Sequence, residues 1–121
     1  MNFNYNENNK KFEATLQILD KNVRVVVRDE SDIEVANKII DELDINSLIN
    51  FIVKEYYDKN DNIWFGSEVS KEDFINSIYL KTIVFRNGCI SYWFDAGDLY
   101  GGHDVLVERK YDSEELSIDL A

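Results

Sequence analysis

Thr82-Ile-Val-Phe-Arg-Asn87-Gly88-Cys-Ile-Ser-Tyr-Trp-Phe94 is the stretch that decides the fold. Asn-Gly between two apolar runs is the chemistry of a two-residue type I′ turn, because both central residues must take positive φ. Folding the chain back on it sets Arg86 opposite Cys89, Phe85 opposite Ile90 and Ile83 opposite Tyr92. One face then holds Ile83, Phe85, Ile90, Tyr92 and Phe94; the other holds Thr82, Val84, Arg86, Ser91, Trp93 and Asp95. A one-residue slip would exchange the two faces, so the sorting of apolar side chains fixes the register. The first face is the expected core, and Trp93 is left on the opposite side.

Downstream of this hairpin, a loop from Asp95 to Gly102 leads to a strand with Val105, Val107 and Arg109, and Leu116, Ile118 and Leu120 suggest a last short strand. Upstream, Ser70 with Asp73 caps a short helix carrying Phe74, Ile75 and Ile78. Before it, Ile45, Leu48, Ile49, Ile52, Val53 and Tyr56 recur at helical spacing and end across Asp58 to Asn62. Ile33, Ala36, Ile39, Ile40 and Leu43 form a stripe one helix earlier, which Ser31 and Glu34 open as a capping box. Phe12, Ala14, Leu16 and Ile18 alternate with polar residues, and Val23 to Arg28 resumes after the turn residues Asp20-Lys21-Asn22, so 12–28 reads as a hairpin. Trp64 and Phe65 are expected to plug the sheet beneath the helices. Residues 1–10, polar and rich in Asn, are expected to be a flexible lead into a single domain over 11–121. The order ββαααβββ, with the extra short strand at the end, segregates strands from helices. It predicts an α+β domain: an antiparallel sheet with about three helices on one face.

The chain has 121 residues, 45% of them hydrophobic, including 7 Phe, 7 Tyr and 2 Trp, enough for a core without staples. It has no apolar run of membrane-spanning length, and its polar start is unlike a secretion signal. Cys89 is the only cysteine, so no internal disulfide forms and a reducing cytoplasm is the expected location. The formal net charge is −11, which repels phosphate backbones and anionic membranes. No nucleic-acid or membrane partner is therefore expected. Such a surface serves solubility, or meets a basic protein.

The stretch Ile90 to Val107, with Phe94, Asp95, Gly97, Asp98, Leu99, Tyr100, Gly102, His103, Val105 and Val107, resembles the bacterial family called domain of unknown function 2262. Ser70-Lys-Glu-Asp-Phe74 and Leu80-Lys-Thr-Ile83 are also similar to it, so the likeness covers the C-terminal half. The resemblance supports the fold and implies no activity.

Each candidate site has a structural reading beside the chemical one. Cys89 with His103 would make a nucleophile and base, but a regular strand holds them roughly 15–20 Å apart. Asp95, Asp98, His103 and Asp104 could ligate a divalent ion, yet their spacing matches no calcium loop and a second His for zinc is missing. Turn chemistry explains the same residues: glycines at positive φ, Asp bonding nearby backbone, and His103 hydrogen-bonding across the loop. Asp95 and Asp98 as a hydrolytic pair would need a defined separation in a cleft. Among the aromatics Trp64, Phe65, Trp93, Tyr100 and Tyr111, Trp93 is the better interface candidate because it lies off the core face. The chain carries no phosphate loop, dinucleotide fingerprint, Cys-x-x-Cys or His-Glu-x-x-His.

The sequence thus leaves two readings. One is a non-catalytic protein-binding domain, an acidic antagonist of a basic protein in the manner of toxin-neutralising immunity proteins. Its binding residues would be Trp93, Asp95, Asp98, Tyr100 and His103, with no catalytic residue, metal or cofactor. Its charge would come from Glu34, Asp41, Glu42, Asp44 and Asp58 beside the helices and from Glu108, Asp112, Glu114 and Glu115 near the C-terminus. The alternative is a small enzyme or a ligand- or metal-binding domain using the Asp95–His103 loop. The lack of a catalytic motif weighs against an enzyme.

Overall fold

The computed structural model describes residues 1–59 and 69–121, so the expectations for Trp64, Phe65 and the stretch through Asn62 lie outside the described residues. The chain is α+β. Its described strands form one seven-stranded sheet in which each strand lies beside its predecessor in sequence. They are β1 (Asn4–Asn6), β2 (Lys11–Ile18), β3 (Lys21–Val27), β4 (Tyr79–Arg86), β5 (Cys89–Asp95), β6 (Val105–Lys110) and β7 (Ser117–Leu120). The helical segments all fall between β3 and β4: a 3₁₀ turn at Glu30–Asp32, then α1 (Ile33–Asp41), α2 (Ile45–Ile52), a π-helix at Val53–Asp58, and α3 (Lys71–Ser77).

The hairpin at Asn87-Gly88 adopts the expected register, Arg86 with Cys89, Phe85 with Ile90, and Ile83 with Tyr92. Asn87 and Gly88 sit at φ +52° and +77°, as a type I′ turn demands. A register shift between Leu80 and Thr82 places a bulge at Lys81. The extra residue reverses the strand's parity, which lets Leu80 and Ile83, three positions apart, both be buried.

The sheet is not antiparallel throughout. β3 runs parallel to β4, pairing Val25 with Ile83 and Val27 with Phe85, while the other described junctions are antiparallel. Parallel neighbours need a long crossover, and the helices supply it. Two further expectations shift. The lead 1–10 contributes β1, where Asn4 pairs with Glu13 and Tyr5 with Phe12, whose rings lie 5.0 Å apart. The first hairpin turns at Leu19-Asp20, not at Asp20-Lys21-Asn22, because Ile18 pairs directly with Lys21.

The helices start where side chains can satisfy free N–H groups. The Asp44 carboxylate accepts from the Ser47 N–H at 3.3 Å and opens α2; the Ser70 hydroxyl accepts from the Asp73 N–H at 3.1 Å and opens α3. Ser31 does not open α1 as expected. It lies in the 3₁₀ turn, which Asp29 caps by accepting from the Ser31 N–H and hydroxyl, and α1 follows from Asp32 without a side-chain cap. α2 passes without a break into the π-helix, whose i→i+5 bonding widens the turn. The consecutive Tyr56 and Tyr57 are both half-buried there: Tyr56 packs edge-on to Tyr100 at 5.7 Å, and Tyr57 lies 5.3 Å from Phe74 and donates to the Val69 carbonyl at 2.7 Å.

The core joins one face of the sheet to the helices. Val23, Val25, Val27, Ile83, Phe85, Ile90, Phe94, Val105 and Val107 meet Ala36, Ile39, Leu48, Ile52 and Phe74. Each such large side chain contributes about 1.5–3 kcal/mol on burial. Val26, Val84, Trp93 and Leu106 occupy the face turned away from this core.

Candidate functional site

The Asp95–His103 loop is built as turn chemistry. The Asp95 carboxylate accepts from the Gly97 N–H at 2.8 Å. The Leu99 N–H donates to the Ala96 carbonyl at 3.1 Å, and the His103 N–H donates to the Tyr100 carbonyl at 3.1 Å. Gly97, Gly101 and Gly102 take φ of +56°, +62° and +88°. Ala96 and Tyr100 turn inward, and burial pushes the Tyr100 hydroxyl well above its ordinary pKa. Asp98 and His103 face solvent. Within the loop Tyr100 is thus turned into the core while Asp98 and His103 are turned to solvent, and His103 joins the loop through its backbone N–H.

Asp104 is committed elsewhere. Its carboxylate pairs with Lys81 at 2.7 Å, which raises the Lys81 pKa, and its backbone exchanges two 2.9 Å hydrogen bonds with Ala121. Among the described residues, no group of three or more His, Cys, Asp or Glu side chains is placed to hold a metal ion. Cys89 begins β5 beside Lys110, and His103 follows the loop beyond the far end of that strand, roughly 20 Å away by strand rise. Tyr111 packs its ring 6.1 Å from Phe85, and burial raises its hydroxyl pKa. Trp93 is half-buried between Thr82 and Leu106 on the face away from the helices, as its register required.

The acidic residues, in contrast, converge. The corner between α1 and α2 meets the turn between β6 and β7 around a cleft of about 350 Å³. Ile39, Leu43, Leu48, Tyr92 and Leu116 give it an apolar lining, and Glu42, Asp44 and Glu114 add carboxylates. A second cleft of about 620 Å³ shares Arg109 and Leu116 with the first and adds Glu108, Asp112 and Glu115. The two acidic sets that are far apart in sequence thus border one region. Glu34, Asp41 and Asp58 of the first set do not line either cleft.

Arg109 organises this region. Its guanidinium donates to the carbonyls of Lys110 and Ser113, each at 3.1 Å, and clamps the turn that presents Asp112, Glu114 and Glu115. Hydrogen bonds from Ser47 hold the Asp44 carboxyl below its usual range, so it stays ionised. Ser91 fixes Glu108 by a 2.8 Å hydrogen bond. Glu108 lies on the same face as Trp93, opposite Ser91, one step along β5. The region offers oriented negative charge around apolar contact area, which suits a cationic group with an apolar neighbour.

No curated protein and no solved structure matches the chain. A family model described as "Uncharacterized protein conserved in bacteria (DUF2262)" matches residues 1–120, so the likeness extends beyond the C-terminal half to nearly the whole sequence. The chain belongs to this bacterial family of uncharacterised proteins, domain of unknown function 2262.

Proposed function

We propose that this domain is a non-catalytic binding protein that engages a basic protein, and that it acts as an antagonist of that partner in the bacterial cytoplasm. The observation that carries the reading is the convergence of Glu42, Asp44 and Glu114 on one cleft and of Glu108, Asp112 and Glu115 on its neighbour. The single cysteine supports a reducing location, and no described helix is long and apolar enough to cross a membrane. Trp93, on the face that Glu108 borders, is the aromatic anchor of this reading.

The test is capture of the partner from the bacterial host, followed by binding kinetics over a salt series. Association should slow about tenfold or more as the Debye length shrinks from roughly 30 Å to 8 Å, while dissociation changes less. Glu42→Lys with Glu114→Lys should slow association at low salt and leave folding stability within about 0.5 kcal/mol, as surface changes do. Asp44 is left intact because it caps α2. Trp93→Ala should instead speed dissociation. An acidic partner, or an association rate indifferent to salt and to both charge reversals, would refute the reading.

A further inference from the structure

The cations of this acidic chain are not spread evenly. Phe12, Val27, Phe85 and Ile90 turn towards the core, so their sequence neighbours Lys11, Arg28, Arg86 and Cys89 turn to the other face. These four lie in one row at the end of the sheet. Lys11 stands one step beyond the Phe12–Val27 pair, and the Arg28 N–H donates to the Phe85 carbonyl at 3.2 Å. Arg86 pairs with Cys89, which pairs on its other side with Lys110. At about 4.8 Å per strand, the ridge Lys11–Arg28–Arg86 spans roughly 10 Å. None of its three cations has an ion pair among the described residues, and Arg28 and Arg86 are exposed. Like charges on neighbouring strands repel, so the ridge is unfavourable until an anion covers it.

On the far side of Cys89, the turn between β6 and β7 carries Asp112, Glu114 and Glu115. All three are exposed and without an ion pair among the described residues. The turn is held beside the Asn87-Gly88 turn: the Tyr111 N–H donates to the Gly88 carbonyl at 2.8 Å, and Arg109 clamps the Ser113 carbonyl. Asp112 and Glu115 line the same cleft as Cys89. Cys89 therefore lies between a cationic ridge and an anionic turn. A two-fold axis beside it lays the ridge of each copy on the turn of the other, the self-complementary pattern of an isologous dimer. An unrelated anionic protein would satisfy the ridge alone; a second copy satisfies ridge and turn together. The net charge of −11 opposes approach, but a Debye length of about 8 Å at physiological salt screens it while ions in contact still attract.

We propose that a second copy of this chain docks here, in a two-fold dimer that sets Arg28 and Arg86 of each copy against Asp112 and Glu115 of the other. The dimer covers the cleft beside Cys89 and leaves the cleft at the α1–α2 corner open. It is tested on the pure protein, so its failure is separate from that of the basic-partner reading. Sedimentation equilibrium at physiological salt, up to millimolar protein, should show a mass rising above the monomer's. Raising salt to about 1 M, where the Debye length is roughly 3 Å, should weaken the dimer by about tenfold or more. Arg28→Glu with Arg86→Glu should be monomeric, and so should Asp112→Lys with Glu115→Lys. Both variants change exposed side chains and should keep the wild-type melting temperature. The second reduces the net negative charge, so general repulsion cannot explain its loss of the dimer. An equimolar mixture of the two should associate again, because the reversed ridge of one meets the reversed turn of the other. The proposal fails if the wild type is monomeric at millimolar concentration, if its dimer ignores salt, or if the mixture is no heavier than its components.

Discussion

Leu19 holds a backbone position that suits few side chains. Its φ is +49°, that of Asp20 is +64°, and the Leu19 side chain is 72% exposed. A branched apolar residue gains nothing from packing there and is strained by the left-handed conformation. Replacing Leu19-Asp20 by Asn-Gly should stabilise the protein by about 1 kcal/mol and raise Tm by roughly 3–6 °C. A thermal melt with unchanged or lower Tm would place the turn elsewhere. The two hairpin turns also mark what a residue can announce. Asn87-Gly88 states its turn type in its own chemistry, and the register of β4 and β5 follows from it. Leu19-Asp20 is chemically the wrong pair for the same turn, so local reading passes over it to the polar residues that follow. Ser31 misleads in a related way: both Ser31 and Asp29 can cap, and the choice depends on a 3₁₀ turn that no spacing rule signals.

At the level of elements, alternation reveals a strand but not the direction of its neighbour. β3 reads equally well beside a parallel or an antiparallel partner, although the unbroken Val25-Val26-Val27, all buried, fits a strand enclosed on both sides. The helical stripes were legible because Ala36, Ile39, Leu48, Ile52 and Phe74 keep helical spacing, while the change to π geometry after Ile52 leaves no comparable mark. Cross-strand pairs tie β1, β2 and β3 together, and Glu13 is their electrostatic centre. Its folded pKa is depressed, chiefly by Arg24, so its contribution is complete above the unfolded value of about 4.3 and is lost as pH falls through the lower, folded value. Wild type should therefore exceed Glu13→Gln in stability at pH 7, and the gap should narrow towards pH 3. Urea denaturation of both proteins at the two pH values checks this; a gap independent of pH would assign the effect of the substitution to shape, not charge.

Across the whole molecule, 24 acidic residues face 13 basic ones, and six of the carboxylates border two adjoining clefts. Self-repulsion of this kind weakens the compact state and is screened by salt. Raising ionic strength from about 0.01 M to 0.1 M, which cuts the Debye length from roughly 30 Å to 10 Å, should raise Tm by a few degrees. A fall in Tm would mean that the ion pairs, Arg24–Glu13 and Lys81–Asp104 among them, outweigh the repulsion. The composition disclosed this charge but not its focus. Glu42 and Glu114 meet only because the α1–α2 corner is carried over to the β6–β7 turn, a tertiary placement that no local pattern encodes. The parallel junction has a further consequence, for a chain emerging from the ribosome. Every other described strand finds its neighbour within a short stretch of newly made sequence, but β3 must wait through residues 28–78 before β4 exists. During that interval its valine-rich edge is open to any other nascent strand, and the helices synthesised meanwhile are cover that this chain can give it.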